Sequence, residues 1–241
     1  FIAQTLEDSN IQSDFVQVDE DTRINVKLKS GQETEINAPG PKVTHAQFEQ
    51  LLSQIRRTTN DDIVIVAGSV PNSIPSDAYA QIAQITEKTG AQLVVDAEKD
   101  LVETVLPYRP LFIKPNKDEL EVMFNTTVKS DEDVIKYGKE ILKKGAQSVI
   151  ISLGGDGAIY VDQHQSIKAV NPQGHVVNTV GSGDSTVAGM VAGGSMGLNI
   201  DEAFQQAVAS GTATAFSEDL ATRDAIENIK SQVTISVLDG E

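Results

Sequence analysis

The run Ile63-Val64-Ile65-Val66-Ala67 carries no polar side chain on either face, and the turn Gly68-Ser69-Val70-Pro71-Asn72 closes it. Successive side chains of a strand point to opposite faces, so such a run needs cover on both sides. Residues 93–96, 111–114 and 149–153 repeat the pattern, and helical stretches at 44–57, at 76–89, after Asn116 and from Ser130 to 144 separate them. This alternation predicts an α/β fold, a mainly parallel sheet with helices on both faces. Ligands of such sheets bind beyond the carboxyl ends of the strands. Here those ends lead into the loops holding Gly68, Asp96, Lys114 and Gly154. The C-terminal third turns helical at 184–197 and 201–218, and a last strand is expected near 233–237.

Residues 15–36 break the rhythm. Strand-like runs at 23–29 and 33–36 flank Ser30-Gly31, which predicts a β-hairpin. A polar hairpin cannot bury a core alone, so it reads as a lid. With 241 residues, 39% of them hydrophobic, the chain suits one large α/β body with a small appendage. The expected division is 1–14 as the end of an N-terminal helix of the body, 15–42 as the lid segment and 43–241 as the body. Phe1 is not a methionine, and residues 1–9 read like the tail of a helix already under way. The expectation is that the chain lacks its natural N-terminal segment.

A net charge of −16 argues against a nucleic-acid backbone or an anionic membrane as partner, since both need a basic surface. No apolar run reaches the length of a membrane span. Cysteine is absent, which removes disulfides, thiolate nucleophiles and Cys-ligated zinc and suits a cytoplasmic setting. Any anionic substrate must be held by local positive groups.

Four segments could supply chemistry. Residues 178–189 deliver one carboxylate, Asp184, through a turn containing Gly181 and Gly183 at a helix start. Unpaired amides and the helix dipole make that place an anion site. An acid there suits proton removal from a hydroxyl while a phosphoryl group sits on the amides, although a capping aspartate fits the local pattern about equally. The turn Ser152-Leu153-Gly154-Gly155-Asp156-Gly157 could bring a nucleotide close to the backbone, but taken alone it reads better as a tight β-turn. It matches neither the P-loop nor GxGxxG. Asn116 and Glu119 form a capping box by their spacing, with water-mediated Mg²⁺ binding as the functional alternative. Arg23, Asn25 and Lys27 project to one strand face, where they could grip a phosphate or simply protect an edge. His45, His164 and His175 lack partners at metal-ligand spacing.

Together these segments resemble the PfkB, or ribokinase-like, family of carbohydrate kinases. The resemblance is carried by Thr179-Val180-Gly181-Ser182-Gly183-Asp184-Ser185, Lys114-Pro115-Asn116 with Glu119, residues 152–157, and Ser210-Gly211-Thr212-Ala213-Thr214. Within the family, Thr22-Arg23-Ile24-Asn25-Val26-Lys27 and Glu33-Thr34-Glu35-Ile36-Asn37 look like the lid of the bacterial 1-phosphofructokinase branch, with tagatose-6-phosphate kinase as a near relative. The family's Gly-Gly-rich first signature and its sugar-contacting aspartate would precede Phe1.

The resemblance implies a ribokinase-like, doubly wound fold with a small β lid. It implies γ-phosphoryl transfer from ATP to the 6-hydroxyl of fructose 1-phosphate. Asp184 would be the base, with Gly181 and Gly183 framing the anion hole. Arg23, Asn25 and Lys27 would hold the phosphosugar. Lys114, Asn116, Ser152, Gly154, Gly155, Gly157, Ser182, Gly183 and Gly211 would bind the nucleotide. Glu119 and Asn116 would organise Mg²⁺ through water, with K⁺ as a further candidate ion. A homodimer through the lid is in keeping with the family. A non-catalytic regulator of this fold and a dinucleotide oxidoreductase are the rival readings; the first needs no Asp184, and the second lacks its glycine fingerprint.

Overall fold

The computed structural model describes residues 1–30 and 32–240; the side chains of residues 27, 29, 30 and 32–35 lie outside the described ones. The first helix, α1 (Ile2–Asp8), buries no residue. Residues 11–24 then run beside α2 (His45–Ile55), where Gln54 Nε2 donates to the Asp14 carbonyl at 2.8 Å and Gln47 Nε2 to the Gln17 carbonyl at 2.9 Å. Helix α2 starts on a capping box, in which the Thr44 hydroxyl accepts from the Gln47 amide and the Gln47 side chain accepts from the Thr44 amide. Between these segments, β1 (Asn25–Ser30) and β2 (Gln32–Asn37) pair as an antiparallel hairpin with Val26 opposite Ile36. Gly31 of the anticipated turn lies outside the described residues.

The body is a seven-stranded sheet whose spatial order follows the chain. Its strands are β3 (Ile63–Ala67), β4 (Gln92–Asp96), β5 (Phe112–Ile113), β6 (Ser148–Ser152), β7 (Ala158–Val161), β8 (Gln165–Val170) and β9 (Thr234–Gly240). The pairings from β3 to β6 are parallel, and those from β6 to β9 are antiparallel. Five strands therefore run one way, while β7 and β9 run the other. The sheet is mainly parallel, as the strand–helix alternation predicted.

Helices cover both faces. Helix α2 packs on one face with α3 (Ala78–Thr89), α4 (Lys99–Val105), α5 (Lys117–Phe124) and α6 (Asp131–Lys144). On the other face lie α7 (Ser182–Ser195), α8 (Ile200–Ala215) and α9 (Arg223–Lys230). The strands alternate between the two cores with period two. Val95, Val149 and Ile151 enter the first core, and Val94 and Ile150 enter the second. All five are fully buried.

Three elements escaped the sequence reading. At seven residues, α4 is too short to display a helical period. Strand β8 interrupts its apolar pattern with Ser166, which is buried, and Lys168, which pairs with Asp131 at 2.6 Å. Helix α9 has no fully buried residue. One expectation also needs correcting. The 63–67 run forms the sheet edge, and Ile65 is 46% exposed, so this apolar strand is not covered on both faces.

Candidate active site

The parallel strands all deliver their carboxyl ends to one rim of the sheet. Asp96 closes β4, Lys114-Pro115-Asn116 follows β5, and residues 153–157 follow β6. Asn116 bridges to Ser152, and the Ser152 amide donates to the Pro115 carbonyl at 3.1 Å, which holds two of these loops together. The start of α7 faces them. Its N-cap is Gly181 at φ 78°, a left-handed angle that strains any side chain, and the Leu220 side chain lies where a Cβ would project.

Helix α7 begins at Ser182, so Asp184 sits in its first turn rather than at the cap, and no side chain caps the helix. The capping explanation of Asp184 therefore fails. The exposed Asp184 carboxylate accepts no hydrogen bond and joins no ion pair among the described residues, and the Gly183 and Asp184 amides find no acceptor there either. A free carboxylate stands beside free N–H donors at the positive end of a helix. A substrate hydroxyl could give up its proton there while the amides receive developing negative charge.

A cavity of about 530 Å³ opens beside this turn. Lys114, Asn116, Ser152, Gly154, Gly155, Gly157, Ser182, Gly183 and Gly211 all line it, so every residue expected at the nucleotide meets in one cleft. The volume falls within the range of small-molecule sites. Helices α7 and α8 pack tightly behind the cleft. Ser182 Oγ donates to the Gly211 carbonyl at 2.8 Å, and the Ser185 and Thr214 hydroxyls stand 2.9 Å apart. A Cβ at position 211 would come within 2.2 Å of Thr186 Oγ1, so only glycine permits this approach.

Sequence reasoning missed part of the lining. Asn171 joins two walls, accepting from Thr212 Oγ1 at 2.9 Å and donating to the Gly154 carbonyl at 3.0 Å. Pro172, Gly174 and Phe216 complete that side. Nothing in one sequence says that the segment around Pro172 and Gly174 folds back onto the cleft. Asp96 was noted only as a strand end. It pairs with Lys114 at 3.1 Å. Burial pushes its carboxyl above the usual aspartate range, Lys114 pulls it partly back, and the Asp184 charge adds a smaller upward push. Nearby, burial and then the Asp96 charge raise the Tyr79 hydroxyl to about 12.

Asn116 and Glu119 form the expected capping box, each accepting from the other's amide at 2.8 Å. That uses one oxygen of each. The second Glu119 oxygen has no partner among the described residues, and no group of three or more His, Asp or Glu side chains there could hold a metal. Mg²⁺ keeps several of its waters and needs few protein carboxylates. The pair therefore fits a hydrated Mg²⁺ bound largely by phosphates, and does not fit an all-protein metal cage. On the lid, Arg23 Nε donates to Asn25 Oδ1 at 2.8 Å and Arg23 Nη1 to Ser69 Oγ at 2.6 Å. This lays a guanidinium over the loop beyond β3, at the same rim as Asp96. The Lys27 side chain lies outside the described ones.

The pfkB family carbohydrate kinase model matches residues 1–225. The chain belongs to the pfkB family of carbohydrate kinases. The match spans every candidate site residue. A 1-phosphofructokinase of Bacillus subtilis (strain 168) is 41% identical over 238 residues, covering 99% of this chain and 78% of the relative. A D-tagatose-1-phosphate kinase of Bacillus licheniformis is 35% identical over 239 residues, covering 99% and 79%. Among solved structures, a Staphylococcus aureus protein provisionally named a phosphofructokinase superposes with a TM-score of 0.91 at 80% identity, covering 99% of this chain and 78% of that one. Escherichia coli phosphofructokinase-2 in complex with substrates and products gives 0.90 at 26% identity, covering 96% and 77%. These likenesses carry the ribokinase-like, mainly parallel, doubly wound sheet of the pfkB kinases over to this chain.

Proposed function

We propose that this pfkB kinase transfers the γ-phosphoryl of ATP to the 6-hydroxyl of fructose 1-phosphate, giving fructose 1,6-bisphosphate and ADP. The observation that carries this reading is the Asp184 carboxylate, without a partner among the described residues, beside the Gly183 and Asp184 amides, which also find no acceptor there, next to the cleft that Gly183 lines. Asp184 takes the proton of the sugar hydroxyl as its oxygen attacks the γ-phosphorus. The bond to the β-phosphate oxygen breaks, and the amides framed by Gly181 and Gly183 stabilise the equatorial oxygens. The glycine-rich turn 154–157 and the wall around Gly211 hold the nucleotide, and Lys114 offers its phosphates a cation. Mg²⁺, when bound, neutralises phosphate charge; Glu119 and Asn116 would hold it through water. Potassium appears in a complex of the Escherichia coli relative, and we extend a monovalent-cation site to this chain as part of the same reading.

Arg23, Asn25 and Lys27 hold the phosphate that the substrate already carries. This gives the Arg23 and Lys27 cations a use on an acidic protein, since a guanidinium can grip phosphate through two hydrogen bonds. We read residues 15–42 as this lid, 1–14 as the end of a helix of the body, and 43–241 as the body. Alternate lid residues Ile24, Val26 and Leu28, with Ile36, leave apolar side chains 42–70% exposed. A second copy of the lid is the natural cover for that face, so we propose a homodimer. No helix among the described residues is long and apolar enough to cross a membrane. We assign the reaction to the cytoplasm, where ATP and sugar phosphates are available.

The Bacillus licheniformis relative favours a second substrate, tagatose 1-phosphate. It presents the same C1 phosphate and 6-hydroxyl and differs from fructose 1-phosphate at C4. The alternative considered from sequence, tagatose 6-phosphate, carries its phosphate at the other end. A coupled ADP-release assay with fructose 1-phosphate, tagatose 1-phosphate, tagatose 6-phosphate and fructose 6-phosphate separates the readings. The highest kcat/KM is expected for fructose 1-phosphate; preference for either 6-phosphate would reverse the assignment of the lid.

A further inference from the structure

The mechanism above gives no role to Asp96, the largely buried carboxylate that pairs with Lys114. Lys114 is 8% exposed, and its ammonium pairs with one of the two carboxylates at this rim. Asp96, at the end of the neighbouring strand β4, is 18% exposed and lies 3.1 Å away. Asp184 perturbs Asp96 through space yet makes no ion pair with Lys114. A lysine side chain has four rotatable bonds and is a compact point charge, so it pairs with whichever carboxylate is held nearer.

Position 183 adds a steric boundary. A Cβ there would come within 3.2 Å of Lys114 Nζ, so the ammonium packs directly against the first turn of α7. The backbone behind Asp96 is fixed as well. Its carbonyl accepts from the Gly68 amide at 3.0 Å, and the Tyr79 hydroxyl donates to the Gly68 carbonyl at 2.7 Å.

We propose that Asp96 is a positioning residue that holds the Lys114 ammonium against the start of α7 and off the Asp184 carboxylate, keeping Asp184 free to accept the hydroxyl proton. Without Asp96, Lys114 is released toward Asp184, the other carboxylate whose charge reaches this pair. An ion pair there would occupy the base and lower its proton affinity. The inference rests on the reading of Asp184 as the base, and it adds a residue with no part in that reading.

The test is a mutant cycle of Asp96→Asn, Lys114→Met and the double variant, with Asp96→Glu as the conservative control and melting curves for folding. Asp96→Asn is expected to lower kcat on the order of tenfold to a hundredfold while the sugar KM stays within about threefold. Asp96→Glu should recover most of the loss. On the Lys114→Met background, Asp96→Asn should cost nothing further, because the cation that it releases is gone. A crystal structure of Asp96→Asn should place Lys114 Nζ in hydrogen-bond reach of the Asp184 carboxylate. Losses that multiply in the double variant, or a Lys114 that stays put in the crystal, would overturn the proposal. An inactive wild type would count against the kinase reading instead, and the position of Lys114 in the Asp96→Asn crystal would still decide whether Asp96 positions it.

Discussion

Arg23 Nη1 stands 2.6 Å from Ser69 Oγ, joining the lid to the loop that leaves the edge strand β3. The two residues are 46 positions apart, so the contact fixes where the lid sits over the rim. Arg23→Ala should raise the fructose 1-phosphate KM by about tenfold to a hundredfold, the usual loss for a charged hydrogen-bond donor on phosphate. The ATP KM should stay near its wild-type value. Steady-state kinetics with each substrate varied in turn checks this; an unchanged sugar KM would remove Arg23 from the phosphate site.

Glu119 both caps α5 and is proposed to serve Mg²⁺, and one substitution separates the two roles. In Glu119→Gln the side-chain carbonyl can still accept from the Asn116 amide. The melting temperature should therefore move by no more than about 2–4 °C. The Mg²⁺ concentration giving half-maximal rate should nevertheless rise on the order of tenfold, because a neutral amide attracts a hydrated cation less. A fall in stability with no change in Mg²⁺ response would leave Glu119 as a cap alone.

Much of this site was legible because its residues stand where strands stop. The end of an apolar run is visible in one sequence, and Lys114, Ser152 and Gly154 follow directly from it. Asp184 was visible for a different local reason, as the acid in a glycine-rich helix start. What was not visible depends on long-range folding. Asn171 acts by touching Thr212 and Gly154, 41 and 17 positions away, and no local pattern encodes either contact. The Asp96–Lys114 pair is a relation between neighbouring strands, which local periodicity cannot register. Strand β8 was obscured by two polar residues that only the folded chain satisfies or buries.

The contact between α7 and α8 is tight enough to test by size. Gly211→Ala would drive a Cβ into Thr186 Oγ1 and the Ser182 carbonyl. It should destabilise the protein by about 1–3 kcal/mol through overpacking, and it should raise the ATP KM by shifting Ser182 in the cleft wall. Adding Thr186→Ala should return part of the stability by removing the nearer clash. Chemical denaturation of the three proteins gives the answer, and a Gly211→Ala variant as stable as wild type would mean that the helices pack more loosely.

The Asp96–Lys114 pair makes a prediction about pH. Burial raises the Asp96 carboxyl above its ordinary value of 3.8, and Lys114 lowers it again. A carboxyl raised in the folded state binds its proton more tightly folded than unfolded. Its contribution is therefore present at low pH and lost as pH rises through the folded value. Lys114→Met removes the lowering influence and moves that loss to higher pH. The stability deficit of Lys114→Met against wild type should be small near pH 4 and grow to about 1–3 kcal/mol near pH 8. Melting curves across that range check the sign; a deficit that shrinks with rising pH would contradict it.

The account turns on Asp184 as the base. The direct measurement is the rate of Asp184→Asn with ATP and fructose 1-phosphate, set beside its affinity for nucleotide. An amide keeps the shape of the carboxylate and cannot take the proton, so kcat should fall by about 10²–10⁴-fold while ATP still binds. A variant that turns over at near the wild-type rate would contradict the central claim.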